Sequence, residues 1–190
     1  MKKTLVIVDA QYDFIENGKL AVAGGTKALD NIAEYLKSGE VGCVITTQDW
    51  HCPDHCSFEP YGGDFPEHCV QGTHGSEIYW PIMDAILSMN ILHLNYKKGQ
   101  YHEAFTAFKG QNYREYLDHI EYETTDEMNC IFNKSEEVQI CGLAGDICVM
   151  NTAIALKAMN PVIIDNLTAS LDDGNFRALA SQHGITLIEV

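Results

Sequence analysis

The chain has 190 residues, of which 46% are hydrophobic and 21% are charged, and this composition is typical of a globular domain with a sizeable core. Its formal charge of −15, from 27 acidic and 12 basic residues, argues against nucleic acids and anionic membranes as partners. No internal repeat or linker-like segment interrupts the sequence, which predicts a single domain over residues 1–190.

Neither the cysteines nor the N-terminal segment indicates export. The chain has seven cysteines, an odd number, and Cys43 and Cys141 fall within apolar runs, which favours free thiols over a disulfide framework. The first apolar run ends at Asp9 and is too short for a signal peptide, and no stretch is long enough to span a membrane. We therefore expect a cytoplasmic protein.

Short apolar runs alternate with segments of helical periodicity along the chain. The predicted strands are Thr4–Val8, Val41–Thr46, Asn90–Leu94, Val138–Cys141, Val162–Asp165 and Ile185–Val190. The predicted helices are Thr26–Ser38, Pro81–Met89, Tyr113–Tyr122, Cys148–Met159 and Asp173–His183, and the acidic segment Glu123–Glu137 is interpreted as a surface connection. This alternation predicts a three-layer, doubly wound α/β fold, with a mainly parallel six-stranded sheet flanked by helices.

Four of the predicted strands are followed by a polar or reactive residue. These residues are Asp9, Asp49, Lys98 and Cys148. Ligands of open α/β sheets bind at the carboxyl ends of the strands, so the four side chains are expected at one edge of the sheet. Each residue type also has an ordinary structural role, as a turn former, a surface charge or a buried thiol, but their coincidence at one edge favours a site.

The chemistry of three of these residues predicts a cysteine nucleophile. Cys148 follows a glycine-rich turn at the start of a helix, where free N–H groups and the helix dipole favour a thiolate and can hold a developing oxyanion. Asp9 could take the thiol proton and return it to a leaving group. The charge of Lys98 would help to set both pKa values.

A second cluster lies in the long loop after the second predicted strand. Its members are Asp49, His51, His55 and His68. A carboxylate with imidazoles suits zinc, iron or manganese, and an incomplete set of protein ligands leaves a position for substrate. A structural zinc site is the competing interpretation, with thiolates from Cys52, Cys56 and Cys69. The absence of a Cys-x2-Cys spacing argues against it.

Six segments, in order along the chain, form recognisable motifs: VIVDAQYDF, the Leu20-Ala21-Val22 stretch, TTQDWHCPDHCSF, FPEHCVQGTHG, YKKGQYHEAFTAF and GLAGDICVMNTA. Together they resemble the nicotinamidases of the isochorismatase-like cysteine hydrolase superfamily over essentially the whole chain. The resemblance implies an Asp-Lys-Cys triad at Asp9, Lys98 and Cys148. Lys98 is preferred to Lys97 because the family's lysine directly precedes a glycine.

The same resemblance implies the rest of the site. The metal ligands would be Asp49, His51 and His68, with His55 as a further candidate, either a fourth ligand or a partner that orients the others. A cis peptide at Leu143–Ala144 would aim the N–H of Ala144, together with that of Cys148, at the oxyanion. The pocket residues would be Phe14, Phe65, Phe105 and Leu143. Phe65 and Phe105 stand where the family often has Trp and Tyr, so both positions lose a polar group.

The resemblance implies an enzyme that hydrolyses nicotinamide to nicotinate and ammonia through a thioester, as a step of NAD salvage. It implies one divalent metal ion, zinc in the first place and iron or manganese as alternatives, and a small-molecule substrate. Homo-oligomerisation is left open. Two other functions compete: a related cysteine hydrolase acting on another small amide or carbamoyl compound, and a non-catalytic metal-binding α/β protein.

Overall fold

The structure is a computed structural model that describes residues 3–108, 131–132 and 134–190. A parallel six-stranded sheet forms its centre. The strands are β1 (Lys3–Val8), β2 (Val41–Asp49), β3 (Leu92–Lys98), β4 (Val138–Gly142), β5 (Val162–Thr168) and β6 (Thr186–Ile188). Their order in the sheet is β3-β2-β1-β4-β5-β6, and every pairing is parallel. The predicted fold class is therefore confirmed.

Helices cover both faces of the sheet. They include α1 (Gly25–Leu36), α2 (Trp80–Ser88), α3 (Met150–Ala155) and α4 (Asp173–His183). Side chains of β1 alternate between the two faces: Leu5 and Ile7 pack with α1 and α2, whereas Val6 and Val8 pack with α3 and α4. A strand buried on both faces reads as a continuous apolar run, and this is why β1 has no polar residue between Leu5 and Val8.

Three strands continue at least three residues further than the sequence predicts: β5 ends at Thr168 rather than Asp165, and the other two are β2 and β3. β2 continues to Asp49 rather than ending at Thr46, and β3 begins at Leu92 and continues to Lys98 rather than spanning Asn90–Leu94. The polar ends of these strands pair with each other over the whole register from Cys43–Leu92 to Asp49–Lys98. Backbone pairing with a neighbouring strand keeps these polar residues in the sheet. Short apolar runs in the sequence do not indicate such pairing, so the predicted strands end too early.

The predicted Cys148–Met159 helix has a different form in the structure. A π-helical turn, Gly145–Val149, precedes α3, and a 3₁₀ turn, Lys157–Met159, follows it. Cys148 therefore lies near the end of the π-helical turn and not at the first turn of a regular helix. Such turns are often found at functional sites.

The predicted helix Tyr113–Tyr122 and most of the Glu123–Glu137 segment lie outside the described residues. Within the part that is described, no helix has both the length and the apolar character needed to cross a membrane.

Candidate active site

The sheet topology brings Asp9 and Cys148 to the same place. The chain passes from β1 to β2 and β3 on one side, then returns to place β4 on the other side of β1. This reversal between β1 and β4 creates a crevice at the carboxyl ends of the two strands, which is the usual ligand position in such sheets. Asp9 directly follows β1, and Cys148 lies in the π-helical turn that follows β4.

Lys98, at the end of β3, connects the groups in this crevice. Its Nζ lies 2.9 Å from Asp9 Oδ2 and 3.6 Å from Cys148 Sγ, and it donates a short hydrogen bond to Asp49 Oδ1. All four side chains are buried. Lys97, by contrast, places its ammonium over the ring of Trp50, on the other side of the strand. The structure therefore brings together the three residues predicted as a triad.

Burial and the Lys98 charge set the protonation of this cluster. Burial alone would lower the pKa of Lys98, but Asp49 and Asp9 outweigh it and raise that pKa well above its ordinary value. Burial also opposes ionisation of Asp49, yet the charge of Lys98 holds the Asp49 pKa below its usual range. The cluster therefore contains a lysine ammonium and an ionised Asp49.

The pKa values of Asp9 and Cys148 are raised, whereas that of Asp49 is lowered. Burial raises the pKa of the Asp9 carboxyl, and Lys98 only partly opposes the shift. Burial likewise raises the pKa of the Cys148 thiol well above its ordinary value. The sequence-based expectation of a thiolate favoured by a helix start is therefore wrong for the free site, because desolvation of the sulfur dominates. A thiol beside a carboxylate with a raised pKa is suited to proton transfer between the two.

Three donor atoms of the second predicted cluster converge in the structure. His51 Nε2 lies 3.6 Å and His68 Nε2 lies 4.0 Å from Asp49 Oδ2, and the ligand atoms of the three residues all fall within 4.8 Å of one another. The opposite ring nitrogens are fixed by backbone carbonyls: His51 Nδ1 bonds to Gly99 and His68 Nδ1 to Pro66. These bonds place the ring protons on Nδ1 and leave both Nε2 lone pairs directed at Asp49, as a metal site requires.

His55 lies next to this set but is not part of it. Its ring centroid is 4.3 Å from that of His51, and its Nδ1 contacts the Ser57 hydroxyl at 2.7 Å. Its Nε2 is buried and has no hydrogen-bond partner among the described residues. Burial lowers the pKa of His55 to about 4, so the ring is neutral near pH 7.

The cysteines of the competing structural zinc site do not converge. Cys69 is buried with its thiol against the Gly75 carbonyl, Cys52 is half-buried, and Cys56 is exposed. Among the described residues, no donor cluster contains any of them. The thiolate alternative therefore has no geometric support.

A pocket of about 610 Å³, counted out to the solvent at its mouth, lies above Cys148 and the Asp-His-His set. Its walls include the three phenylalanines predicted for it, Phe14, Phe65 and Phe105. Leu143, which was also predicted, is fully buried in the core on the α1 side of the sheet and is not among the lining residues. Asp9 and Lys98 do not line the pocket either, since they lie behind Cys148.

The backbone before the nucleophile has the predicted form. The Leu143–Ala144 peptide bond is cis, and Ala144 lines the pocket beside Cys148. The Ala144 carbonyl accepts hydrogen bonds from Ile147 and Val149, whereas no described residue accepts one from the Ala144 N–H. That N–H is available to a ligand in the pocket.

Sequence reasoning missed the residues that hold the site in place. The Gln11 carboxamide donates to the Asp49 carbonyl and accepts from the Asp49 N–H, each at 2.8 Å, and the Thr47 hydroxyl donates to Asp9 Oδ1 at 2.7 Å. Gly99 has a φ of +66°, and a Cβ there would lie 2.6 Å from His51 Cε1. Each lies within two residues of a predicted site residue, and that proximity was the only signal for them.

The family model of the isochorismatase domain matches residues 3–185. A nicotinamidase/pyrazinamidase of Mycobacterium tuberculosis is 33% identical over 156 residues, which cover 80% of this chain and 76% of the relative. A nicotinamidase of Saccharomyces cerevisiae is 30% identical over 203 residues, with 90% of each chain covered.

Solved structures share the fold. PnC1 from L. infantum, in a complex with nicotinate, superimposes with a TM-score of 0.80 at 29% identity, covering 99% of this chain and 92% of that one. The pyrazinamidase of Pyrococcus horikoshii in complex with zinc has a TM-score of 0.77 at 24% identity, with full coverage of both chains. The match of the family model over nearly the whole chain, together with relatives of at least 30% identity, shows that this chain belongs to the isochorismatase family.

Proposed function

We propose that the protein is a metal-dependent cysteine amidohydrolase that converts nicotinamide to nicotinate and ammonia. The observation that carries this proposal is the contact of Lys98 with both Asp9 and Cys148, directly beneath a pocket that also exposes an Asp-His-His donor set. A nucleophile, a base and a stabilising cation are the groups that amide hydrolysis through an acyl-enzyme needs. The relatives from M. tuberculosis and S. cerevisiae are nicotinamidases, which supports this substrate.

The donor set fits a divalent metal ion. Asp49, His51 and His68 would hold it, and the unpaired, buried Nε2 of His55 is a fourth nitrogen close to the same site. One carboxylate with imidazoles suits zinc, iron and manganese, and we propose zinc as the resident ion. When bound, the ion supplies a Lewis-acidic position that orients and polarises a substrate with a basic ring nitrogen.

The reaction begins with proton transfer within the buried cluster. Asp9 accepts the Cys148 proton as the sulfur attacks the amide carbon, and the new negative charge on the amide oxygen is stabilised by the N–H groups of Ala144 and Cys148. Asp9 then gives the proton to the departing nitrogen, so that the C–N bond breaks and ammonia leaves. The remaining acyl group is bound to Cys148 as a thioester.

Water completes the reaction. Asp9 takes a proton from a water molecule as the water oxygen attacks the thioester carbon, and the C–S bond breaks to release nicotinic acid, which loses its carboxyl proton to solvent to give nicotinate. The proton held by Asp9 returns to the Cys148 sulfur, which restores the starting state. Throughout, Lys98 remains charged and stabilises whichever of Asp9 and Cys148 carries the negative charge.

The pocket walls select a flat aromatic ring. Phe14, Phe65 and Phe105 supply apolar aromatic surface, and the metal donors occupy one side of the same space. Aromatic rings stack or contact edge to face with a bound heterocycle, which favours pyridine-type amides over aliphatic ones.

Ammonia release from nicotinamide tests the proposal. Wild-type protein, Cys148→Ala and a chelator-treated sample are compared, with Cys56→Ala as the control because Cys56 is an exposed thiol outside the site. Release by the wild type and by Cys56→Ala alone supports the assignment. Substantial activity in Cys148→Ala would show that Cys148 is not the nucleophile.

A panel of small amides separates the remaining alternatives. A related cysteine hydrolase would hydrolyse another amide or a carbamoyl compound faster than nicotinamide. A non-catalytic binding protein would hydrolyse none of them although it is folded and loaded with metal.

A further inference from the structure

The mouth of the pocket is formed partly by a loop that belongs to a different part of the chain from the nucleophile. This loop, Ala169–Asp172, connects β5 to α4, and its Leu171 side chain lines the pocket while remaining half exposed. An exposed leucine at a pocket rim lacks the packing that would fix its position. Its placement must therefore come from the backbone of the loop.

That backbone is held by the turn that carries Cys148. Asp146 Oδ1 accepts a hydrogen bond from the Leu171 N–H at 3.0 Å, and Asp146 Oδ2 accepts one from the Asp172 N–H at 3.1 Å. The Gly145 N–H donates to the Ala169 carbonyl at 2.8 Å, which adds a third connection. A carboxylate that accepts two successive backbone N–H groups fixes both the position and the orientation of the loop.

Asp146 has no role in the proposed reaction or in the candidate metal site. It lies two residues before Cys148, yet it is neither a pocket-lining residue nor a member of the metal donor clusters formed by the described residues. Its neighbour Ile147 and the loop residue Leu171 both line the pocket, so Asp146 connects two walls of the same space.

We propose that Asp146 is a positioning residue, whose carboxylate holds the loop so that Leu171 closes one side of the substrate pocket and limits the size of the ring it accepts. The proposal rests on the proposed function for the identity of the substrate. The hydrogen bonds that hold Leu171 in place act whatever the substrate is.

Steady-state kinetics of Asp146→Ala and Asp146→Asn provide the first test, with Asp173→Asn as a matched control. Asp173 is an acidic residue in the first turn of α4 that pairs with Arg177 and does not contact the loop backbone. Loss of both hydrogen bonds in Asp146→Ala should raise KM for nicotinamide by roughly five- to tenfold. The kcat should stay within about twofold, because Asp146 contacts no reacting atom.

The conservative variant and a larger substrate sharpen this test. Asn keeps one acceptor oxygen, so Asp146→Asn should lie between wild type and Asp146→Ala. The ratio of kcat/KM for 5-methylnicotinamide to that for nicotinamide should rise in Asp146→Ala and in Leu171→Ala, and the double variant should show no further rise. A fall in kcat with KM unchanged, additive effects in the double variant, or equal effects in Asp173→Asn would overturn the proposal.

Hydrogen–deuterium exchange gives a readout that needs no activity. The amides of Leu171 and Asp172 should exchange faster in Asp146→Ala than in wild type, while peptides from α1 remain unchanged. Unchanged exchange across the loop would overturn the proposal. If the wild type fails to hydrolyse nicotinamide, the proposed function fails, yet exchange still decides the role of Asp146. If Asp146→Ala does not fold, Asp146→Asn and Leu171→Ala decide it.

Discussion

Lys98 Nζ lies 3.6 Å from Cys148 Sγ, with both side chains buried. The same ammonium lies 2.9 Å from Asp9 and bonds to Asp49, which is also a candidate metal ligand. One cation therefore connects the acid–base pair to the metal donors. Because two carboxylates share it, the charge of each depends on Lys98, and loss of this residue should affect both catalysis and folding.

Replacement of Lys98 by Met should leave the carboxylates of Asp9 and Asp49 buried without their cation. Breaking a buried ion pair in this way costs about 3–5 kcal/mol of unfolding free energy. Activity should fall by roughly 10³-fold or more, since the charge that stabilises the reacting groups is lost. Urea unfolding and ammonia release measure the two effects.

Lys97→Met is the control for this experiment. Lys97 is adjacent in the same strand, but it contributes a cation–π contact with Trp50, and such a contact between half-buried residues is worth about 0.5–2 kcal/mol. Activity in this variant should remain close to wild type. Equal losses in the two variants would contradict a specific role for Lys98.

Gly99→Ala should weaken metal binding. The new Cβ would lie 2.6 Å from His51 Cε1, so the imidazole would have to move away from Asp49. Disturbing a partner that orients a ligating histidine reduces metal affinity by about 10- to 100-fold. Competition with a chelator of known affinity measures this change.

Gly39→Ala separates the clash from the backbone effect. Gly39 has a φ of +78°, similar to the +66° of Gly99, but a Cβ there meets no atom within 4 Å. Both variants should lose about 1–2 kcal/mol of stability from the left-handed backbone conformation. Only Gly99→Ala should lose metal affinity, and a similar loss in Gly39→Ala would show that the clash with His51 is not responsible.

Removal of the metal should abolish activity before it affects the fold. The two apolar clusters of the core contain none of the donor residues, and only Asp49, at the very end of β2, belongs to the sheet, whereas a structural zinc site would support the fold itself. Chelator-treated protein should keep its circular dichroism spectrum and regain activity when zinc is added. Unfolding at the chelator concentration that removes the metal would instead support a structural site.

His55→Asn and His51→Asn should differ in their effects on metal affinity. His51 belongs to the converging set, while His55 lies beside it with its Nε2 unpaired. We expect the larger loss of affinity in His51→Asn, measured by metal titration of the apoprotein. An equal loss in both variants would identify His55 as a ligand of the same standing as His51.

Glu16 should make stability depend on pH at acidic values. A side-chain bond from Thr26, followed by backbone N–H bonds, lowers the pKa of Glu16 from 4.5 to about 2. A carboxylate whose pKa is lower in the folded state stabilises the protein above pH 4.5, and this contribution disappears as the pH falls through about 2. Glu16→Gln should therefore be less stable than wild type at pH 7, and the difference should shrink below pH 4.5.

Urea unfolding of both proteins at several pH values between 7 and 3 measures this difference. Glu34→Gln serves as the control, because Glu34 forms a surface pair with Lys37, a type of contact that contributes little. If the difference in unfolding free energy between Glu16→Gln and wild type stays constant down to pH 3, the hydrogen bonds of the Glu16 carboxylate at the start of α1 do not stabilise the protein as predicted.

Local patterns in the sequence determined the fold class and the identity of the polar residues at the strand ends. Asp9, Asp49 and Lys98 could be predicted as a group because strands of a parallel sheet all end at one edge. The aromatic walls and the cis peptide could not be obtained from periodicity, and only the resemblance to a known family indicated them. The helix α4 spans Asp173–His183 as predicted, because a capping aspartate and Gly184 define its ends locally.

Only the tertiary structure determined the pKa of the Cys148 thiol and the contacts that hold the site residues in place. A helix start favours a thiolate, but the burial of Cys148 opposes it more strongly, and burial depends on contacts between distant segments. The folded chain also brings four supporting residues next to partners that are distant in the sequence. These residues are Gln11, Thr47, Gly99 and Asp146. Bonds between residues far apart in the chain leave no periodic trace in the sequence, whereas hydrophobic spacing and capping residues do.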